Sequence, residues 1–276
     1  MNYKIVTDSS SNLFALADMP FSFVPLKIIT AEKEYVDTPE LDLKEMTDNL
    51  ATTKAKTGTS CPNMHEWLEA FEGADHIFAV TITSNLSGSY ASAAQAAEEY
   101  MSTHPGAKVH VIDSLSAGPE LILLIDKLKE MILENLSFEA IKNNIQEYLK
   151  KTHLLFSLQS LTNLARNGRV SPTVAKVAGV LGIRVVGKAS DEGTLEPLHK
   201  CRGEKKALDS IVSEMIAHGF TGAKVYISHC FNLESANELK KQILSKFPGS
   251  DIQINKCSAL CSYYAEVGGL LVGFES

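Results

Sequence analysis

The stretch HIFAVTITSNLSGSY at residues 76–90 decides the fold class, because an apolar run ends in hydroxyl residues and passes directly into a helical pattern. Such a run, bounded by turn-forming residues, is typical of a buried strand. The segment Ser87 to Met101 is rich in small residues and repeats Tyr90, Ala94 and Ala97 at helical spacing, so a helix can lie close against a sheet. The stretch therefore predicts one strand–helix unit of a parallel α/β sheet.

The rest of the first half repeats this alternation, which is expected of parallel strands joined by crossover helices. One of the predicted strands contains Pro25 and is placed at an edge of the sheet for that reason. The predicted strands are Lys4–Thr7, Phe21–Ile29, His76–Thr83 and Lys108–Asp113. The other predicted helices are Leu41–Leu50, one with Pro62 in its first turn, Pro119–Asn135 and Phe138–Lys150.

The pattern becomes less regular near His153, and we predict two domains, an N-terminal parallel-sheet domain of three layers over residues 1–152 and a C-terminal mixed-sheet α/β domain over residues 153–276. The turn signal Asp191-Glu192-Gly193 predicts an antiparallel hairpin. The strands predicted here are Leu154–Ser157, Ile183–Ala189, Thr194–Cys201, Lys224–His229, Asp251–Asn255 and a final apolar strand; the helices are Pro172–Leu181, Glu204–His218 and Glu234–Lys246.

Composition narrows the class of protein. The 276 residues carry a formal charge of −7, which opposes binding to nucleic acid or to an anionic membrane. Neither a secretory signal nor an apolar run long enough to span a bilayer is visible, so we expect a cytoplasmic protein. The five cysteines are scattered and odd in number, which indicates reduced thiols, and Cys257 and Cys261 are interpreted as buried structural residues rather than metal ligands.

Hydroxyl-rich turns follow several predicted strands or precede helices, at Asp8–Ser11, Thr57–Pro62, Thr83–Ser89 and Asp113–Ser114. The carboxyl ends of parallel strands form the usual ligand crevice, so we expect these turns to converge there. Helix starts offer free N–H groups to an anion, and Gly88 would let a ligand approach the backbone. Ordinary N-capping by Ser9, Ser60 and Ser87 is the alternative explanation.

Motifs of common enzymes are missing: the sequence has no phosphate-binding loop, dinucleotide fingerprint, zinc-protease motif or nucleophile elbow. A hydrolase or phosphatase that uses Asp8 or Ser87 remains an alternative hypothesis.

Six segments taken in order resemble the DegV family, the bacterial fatty-acid-binding proteins that act as binding subunits of fatty acid kinase. They are VTDSSSNL at residues 6–13, TSCP at 59–62, SNLSGSY at 84–90, VIDS at 111–114, LTNLARNGRVS at 161–171 and KCRGEKKAL at 200–208. The resemblance implies a two-domain α/β fold with one long-chain fatty acid in an apolar tunnel between the domains. It also implies that the protein is not an enzyme, has no metal or cofactor, and presents the fatty acid carboxylate to a separate kinase catalytic subunit.

The resemblance carries residue roles as well. It places the carboxylate against Thr59 and Ser87, and we add Ser60, Gly88 and Tyr264 to the predicted carboxylate-binding set. Tyr264 stands where the family usually has a histidine, and a phenol can still donate one hydrogen bond.

Two arginines, Arg202 and Arg169, match family segments. We predict that they contact the kinase, with Arg202 as the first candidate and Arg169 as the second. Glu266 adds an acidic group near the expected head group. Together with Tyr264 it motivates a second hypothesis, a diverged sensing or regulatory module that binds another amphiphile or a phosphorylated ligand.

Overall fold

Three β-sheets organise the part of the chain that the computed structural model describes, residues 2–171 and 182–276. The predicted helix Pro172–Leu181 lies outside the described residues. The strands are β1 Tyr3–Asp8, β2 Phe21–Val24, β3 Lys27–Ile29, β4 Glu34–Val36, β5 Gly58–Ser60, β6 His76–Thr81, β7 Lys108–Asp113, β8 Thr152–Leu158, β9 Ile183–Ala189, β10 Leu195–Arg202, β11 Lys224–His229, β12 Asp251–Lys256 and β13 Leu270–Glu275. The helices of the described residues are α1 Leu43–Thr52, α2 Met64–Phe71, α3 Ser89–Thr103, α4 Pro119–Leu133, α5 Phe138–Leu149, α6 Thr162–Arg166, α7 Glu204–Ala217, α8 Leu233–Lys246 and α9 Ala259–Ala265.

The first sheet is parallel, with strand order β2-β1-β6-β7, as the alternation of strands and helices predicts. Side chains alternate across each strand, and the two central strands, β1 and β6, have buried side chains on both faces of the sheet. Phe78 and Val80 of β6 pack with α4 and α5, whereas Ile77 and Ala79 pack with α2 and α3. This gives the predicted three layers.

The predicted strand Phe21–Ile29 is wrong as a single element. Its first part is β2, an edge strand of the parallel sheet, and its second part is β3, the centre of a separate antiparallel sheet with order β4-β3-β5. Pro25 lies between the two. Proline fixes φ and has no N–H, so the chain leaves the first sheet there.

The helix predicted to have Pro62 in its first turn begins later in the structure. Thr59 and Ser60 belong to β5, and α2 begins at Met64 rather than at Pro62. The reason is a stronger cap downstream: Asn63 accepts hydrogen bonds from two backbone N–H groups and Glu66 accepts one from Asn63 N, which completes a capping box.

The second sheet is mixed, with strand order β10-β9-β8-β13-β11-β12, and the predicted hairpin is its β9–β10 pair. The sequence prediction missed α9, which has seven residues. Six of them are buried. Such a helix has no polar face and so lacks the periodic pattern that reveals an amphipathic helix.

Helix α9 packs against the small three-stranded sheet of the first half. Ala259 and Tyr263 share a buried cluster with Ile28, Tyr35 and Met46. Residues of the N-terminal and C-terminal parts of the chain therefore share one hydrophobic core. The boundary between residues 152 and 153 stays a prediction.

Two predictions from composition can be compared with the structure. Within the described residues, none of the helices is long and apolar enough to cross a membrane. All five cysteines are free thiols; Cys61 is half-buried and the other four are buried, so Cys257 and Cys261 are buried as the sequence predicts. No group of metal-ligating side chains occurs among residues 2–171 and 182–276.

Candidate functional site

A cavity of about 340 Å³ lies where the parallel sheet, the small antiparallel sheet and the mixed sheet meet. Strand β8 supplies much of its inner wall. Leu154, Phe156 and Leu158 point into the cavity, whereas Leu155 between them packs in the core beneath α7. This alternation follows from the two-residue period of a strand.

Apolar side chains from seven further segments of the described chain line the inner wall. Helix α9 contributes Leu260 and Ala265, and strand β13 contributes Leu271. The remaining apolar side chains of the wall are Leu26, Ile82, Leu86, Ala117, Leu164 and Leu195. A wall of this composition suits a hydrocarbon chain, because it offers no polar partner that the chain would leave unpaired.

The polar groups of the cavity lie together at its more exposed end. All five predicted carboxylate-binding residues line the cavity: Thr59, Ser60, Ser87, Gly88 and Tyr264. They are half-buried or exposed, whereas Leu154, Phe156 and Leu158 are buried. The arrangement has an apolar interior and a polar end near solvent, and fits an amphiphile with a compact polar head.

Thr59 and Tyr264 face each other across this polar end. Thr59 Oγ1 lies 2.8 Å from the Tyr264 hydroxyl, and either oxygen can be the donor. Burial raises the pKa of Tyr264, while the hydrogen bond between Thr59 and Tyr264 and the positive charge of Arg169 act in the opposite direction. The phenol is therefore a neutral donor that can turn from Thr59 to a bound carboxylate.

Ser87 and Gly88 lie at the N-terminus of α3. Ser87 Oγ accepts a hydrogen bond from Ser89 N at 3.3 Å, and Gly88 is the N-cap residue. A Cβ at Gly88 would come within 3.1 Å of Cys61 Sγ, so the backbone runs close to the opposite wall. The positive end of the helix dipole therefore faces the cavity.

Asp8 fixes the β6–α3 loop from behind. Its Oδ2 accepts hydrogen bonds from Ile82 N at 2.9 Å and from Ser89 Oγ at 2.6 Å. The side chain is 0% exposed, and burial raises the pKa of Asp8. A carboxylate enclosed in this way cannot reach a substrate, which argues against the hypothesis of an aspartyl nucleophile.

Neither Asp8–Ser11 nor Asp113–Ser114 lines the cavity, so two of the four predicted turns support the site without forming it.

The two arginines lie in different places. Arg169 lines the cavity and donates from Nε to Leu86 O at 3.1 Å, so it lies beside the polar end. Arg202 is exposed at the end of β10 and does not line the cavity. Next to it, Glu204 pairs with the buried Arg184 at 2.7 Å. A contact of either Arg169 or Arg202 with a partner stays a prediction.

Glu266 does not line the cavity. Its Oε1 accepts hydrogen bonds from the Ser160 hydroxyl at 2.9 Å and from Asn163 N at 3.3 Å, at the start of α6. Its φ of 54° and ψ of 168° lie in a region that favours glycine. Glu266 therefore caps a helix, and it does not place an acidic group at the head-group end.

Sequence reasoning missed most of the apolar wall. The alternation in HLLFSL at residues 153–158 was a usable signal for Leu154, Phe156 and Leu158. No local signal connected Leu26, Leu260 and Ala265, because they meet only through the tertiary fold.

The fold and the cavity define a class of protein: a ligand-binding α/β protein whose apolar cavity ends in a group of hydroxyls at a helix N-terminus. The chain belongs to the DegV family, since the family model described as "Uncharacterised protein, DegV family" matches residues 2–275.

Relatives of known sequence and structure agree with this membership. A DegV domain-containing protein of Streptococcus pneumoniae is 43% identical over 279 residues, which cover 100% of this chain and 99% of the relative. A solved DegV family protein from Eubacterium eligens, loaded with heptadecanoic acid, has a TM-score of 0.98 and 43% identity, and the match covers 99% of each chain. The Streptococcus pneumoniae fatty acid kinase (Fak) B3 protein, loaded with linoleic acid, has a TM-score of 0.97 and 43% identity over 100% of this chain and 99% of its own.

Proposed function

We propose that this chain binds one long-chain fatty acid, with the acyl chain in the apolar cavity and the carboxylate at the polar end. The observation that carries the proposal is the cavity itself, in which an apolar wall ends at the hydroxyls of Thr59, Ser60, Ser87 and Tyr264. The heptadecanoic acid and the linoleic acid of the two solved relatives are ligands of this kind.

Burial of the acyl chain supplies the affinity. Each buried methylene contributes about 0.8 kcal/mol, so roughly 14 methylenes of a palmitate-like chain contribute about 11 kcal/mol before the costs of association. The hydroxyls then serve to orient the head group. Hydrogen bonds to an ionised carboxylate are stronger than those between neutral groups, so the Thr59 and Tyr264 hydroxyls give up their contact with each other in favour of the ligand.

The polar end is the more exposed end of the cavity, so a carboxylate held there can be reached by a second protein. We infer that the chain presents its fatty acid to the catalytic subunit of a fatty acid kinase, which forms the acyl phosphate in the cytoplasm. The relation to the Streptococcus pneumoniae fatty acid kinase B3 protein supports this partner. The chain acts as a carrier, and Arg202 and Arg169 are its proposed contacts with the kinase.

The hypothesis of a diverged sensing module was based on Tyr264 and Glu266. Glu266 no longer supports it, because Glu266 caps α6 and does not line the cavity. Tyr264 alone is compatible with a carboxylate, since a phenol donates one hydrogen bond.

Organic extraction of the purified protein followed by mass spectrometry tests the proposal. We expect one long-chain fatty acid per chain, and uptake of added palmitate or oleate by delipidated protein. Leu195→Trp fills the cavity from β10 and should reduce the bound amount or shorten the bound chain. Glu196→Trp changes the neighbouring exposed side chain and is the matched control. Absence of both bound and added fatty acid in the unmodified protein would refute the function.

A further inference from the structure

Asp37, directly after β4, is a fully buried carboxylate that holds the first turn of α9. It is 0% exposed. Its Oδ1 accepts a hydrogen bond from Ala259 N at 2.7 Å, and its Oδ2 accepts one from Leu260 N at 3.1 Å. The Ser258 hydroxyl lies 3.0 Å from the same Oδ2. Asp37 thus satisfies the N–H groups that a helix start leaves without partners.

The same carboxylate is tied to the entrance of β3. The Ser9 side chain hydrogen-bonds to Asp37, and Ser9 Oγ accepts a hydrogen bond from Leu26 N at 3.0 Å. Asp37 N donates to Leu26 O at 2.9 Å. Leu26 and Leu260 both line the cavity, so Asp37 lies directly behind two residues of its wall.

One small sheet holds both ends of α9. In the register of that sheet, Ile28 of β3 stands between Tyr35 of β4 and Thr59 of β5. Asp37 follows β4 and binds the start of the helix, while Thr59 in β5 meets Tyr264 near its end at 2.8 Å. Asp37 and Thr59 therefore contact opposite ends of the same short helix.

We propose that Asp37 is the positioning residue for the ligand head group: by holding the start of α9 it places the Tyr264 hydroxyl opposite Thr59. This inference rests on the proposed function. A helix of seven residues has few hydrogen bonds of its own and is not stable by itself, so its placement depends on external contacts. A carboxylate at its N-terminus is a strong contact of this kind, because the hydrogen bonds are charge-assisted and the helix dipole adds to them.

Asp37→Asn is the informative variant, because it preserves shape. The amide offers one acceptor oxygen where two are used, and its NH₂ group faces a donor, so the first turn of α9 is released on one side. Glu120→Gln is the matched control. Glu120 is 4% exposed and accepts hydrogen bonds from Ser116 Oγ at 2.5 Å and Thr152 Oγ1 at 2.7 Å, but it does not line the cavity.

A double-mutant cycle with Tyr264→Phe separates positioning from general stability. We expect Asp37→Asn alone to weaken palmitate binding about tenfold. In the Tyr264→Phe background the same substitution should weaken binding less than about twofold, since the Tyr264 hydroxyl that Asp37 positions is already absent. Glu120→Gln should have the same small effect in both backgrounds. An equal loss for Asp37→Asn in both backgrounds would overturn the inference.

A crystal structure of ligand-free Asp37→Asn gives a second, ligand-independent result. We expect Thr59 Oγ1 and the Tyr264 hydroxyl to have moved out of hydrogen-bond distance. An unchanged separation would overturn the inference whatever the binding data show. If the unmodified chain takes up no fatty acid, the proposed function fails, and this structure still decides the role of Asp37.

Discussion

The side-chain hydroxyls of Thr59 and Tyr264 lie 2.8 Å apart although the two residues are 205 positions apart in the chain. One belongs to a three-residue strand and the other to a seven-residue helix, and neither element has enough hydrogen bonds of its own to hold its place. Contacts between the two halves of the chain therefore build the polar end of the cavity. Its binding properties should respond to small changes in those contacts.

Removal of the Tyr264 hydroxyl should weaken ligand binding more than it weakens the fold. Tyr264→Phe keeps the ring that lines the cavity and deletes one donor to the carboxylate. We expect a loss of about 1–2 kcal/mol, or roughly tenfold in Kd for palmitate, with little change in the melting temperature of the ligand-free protein. Calorimetric titration and thermal unfolding measure the two quantities.

The neighbouring Tyr263 is the control for this prediction. Its hydroxyl lies 2.8 Å from Thr57 Oγ1 and accepts from Asn167 Nδ2 at 2.9 Å, away from the cavity wall. Tyr263→Phe should therefore lower stability and leave Kd nearly unchanged. The assignment of Tyr264 to the head group fails if Tyr263→Phe reduces affinity as strongly as Tyr264→Phe does.

The backbone at Glu266 predicts an order of stability between two variants. Both Glu266→Ala and Glu266→Gly lose the cap on α6, but only glycine relieves the strain of a φ of 54°. We expect the free energy of unfolding of Glu266→Ala to be about 1 kcal/mol lower than that of Glu266→Gly. Urea denaturation of the two variants tests this, and the reverse order would show that the left-handed backbone is not strained.

Glu120 predicts a pH dependence of stability. Burial raises the pKa of Glu120 from 4.5 to about 7, against the opposing hydrogen bonds of Ser116 and Thr152. The folded protein therefore holds this proton more tightly than the unfolded chain does. This tighter proton binding contributes to the free energy of unfolding. The contribution is complete below pH 4.5 and is lost as the pH rises towards 7, by up to about 3 kcal/mol.

Glu120→Gln removes this titration. Relative to the unmodified protein, the variant should become progressively more stable between about pH 5 and pH 7, as measured by urea unfolding at each pH. Because other groups titrate equally in both proteins, the difference between them isolates Glu120. A difference that stays constant over this range would show that Glu120 has no raised pKa.

Arg202 should act on transfer to the kinase and not on ligand binding, because it is exposed and lies outside the cavity. Arg202→Ala should keep its full fatty acid content. Acyl-phosphate formation by the catalytic subunit should fall about tenfold, the effect expected when an arginine at the centre of an interface is removed. Lys246→Ala, at the exposed end of α8, is the control. Equal transfer by both variants would place the kinase elsewhere on the surface.

Much of the fold could be predicted from local patterns. The strands β1, β6 and β7 are apolar runs that stop at Asp or Thr, and their period and boundaries are visible in the sequence. The family segments around Thr59, Ser87 and Tyr264 also identified residues that the structure brings to one cavity.

The elements that assemble the site could not be predicted in this way. Strands β3, β4 and β5 have three residues each, too few to show an alternating pattern, and α9 is apolar on nearly every side. Asp37 stands in the segment VDTP and is indistinguishable from a turn residue, because its partners at the start of α9 lie more than 200 positions away. Short elements with distant partners carry their information in tertiary contacts.

A crystal structure of the protein with bound palmitate tests the central claim most directly. We predict an acyl chain that runs along Leu154, Phe156 and Leu158, with a carboxylate oxygen within hydrogen-bond distance of Thr59 Oγ1 and the Tyr264 hydroxyl. A chain bound elsewhere, or a carboxylate that leaves the Thr59–Tyr264 contact intact at 2.8 Å, would contradict the account.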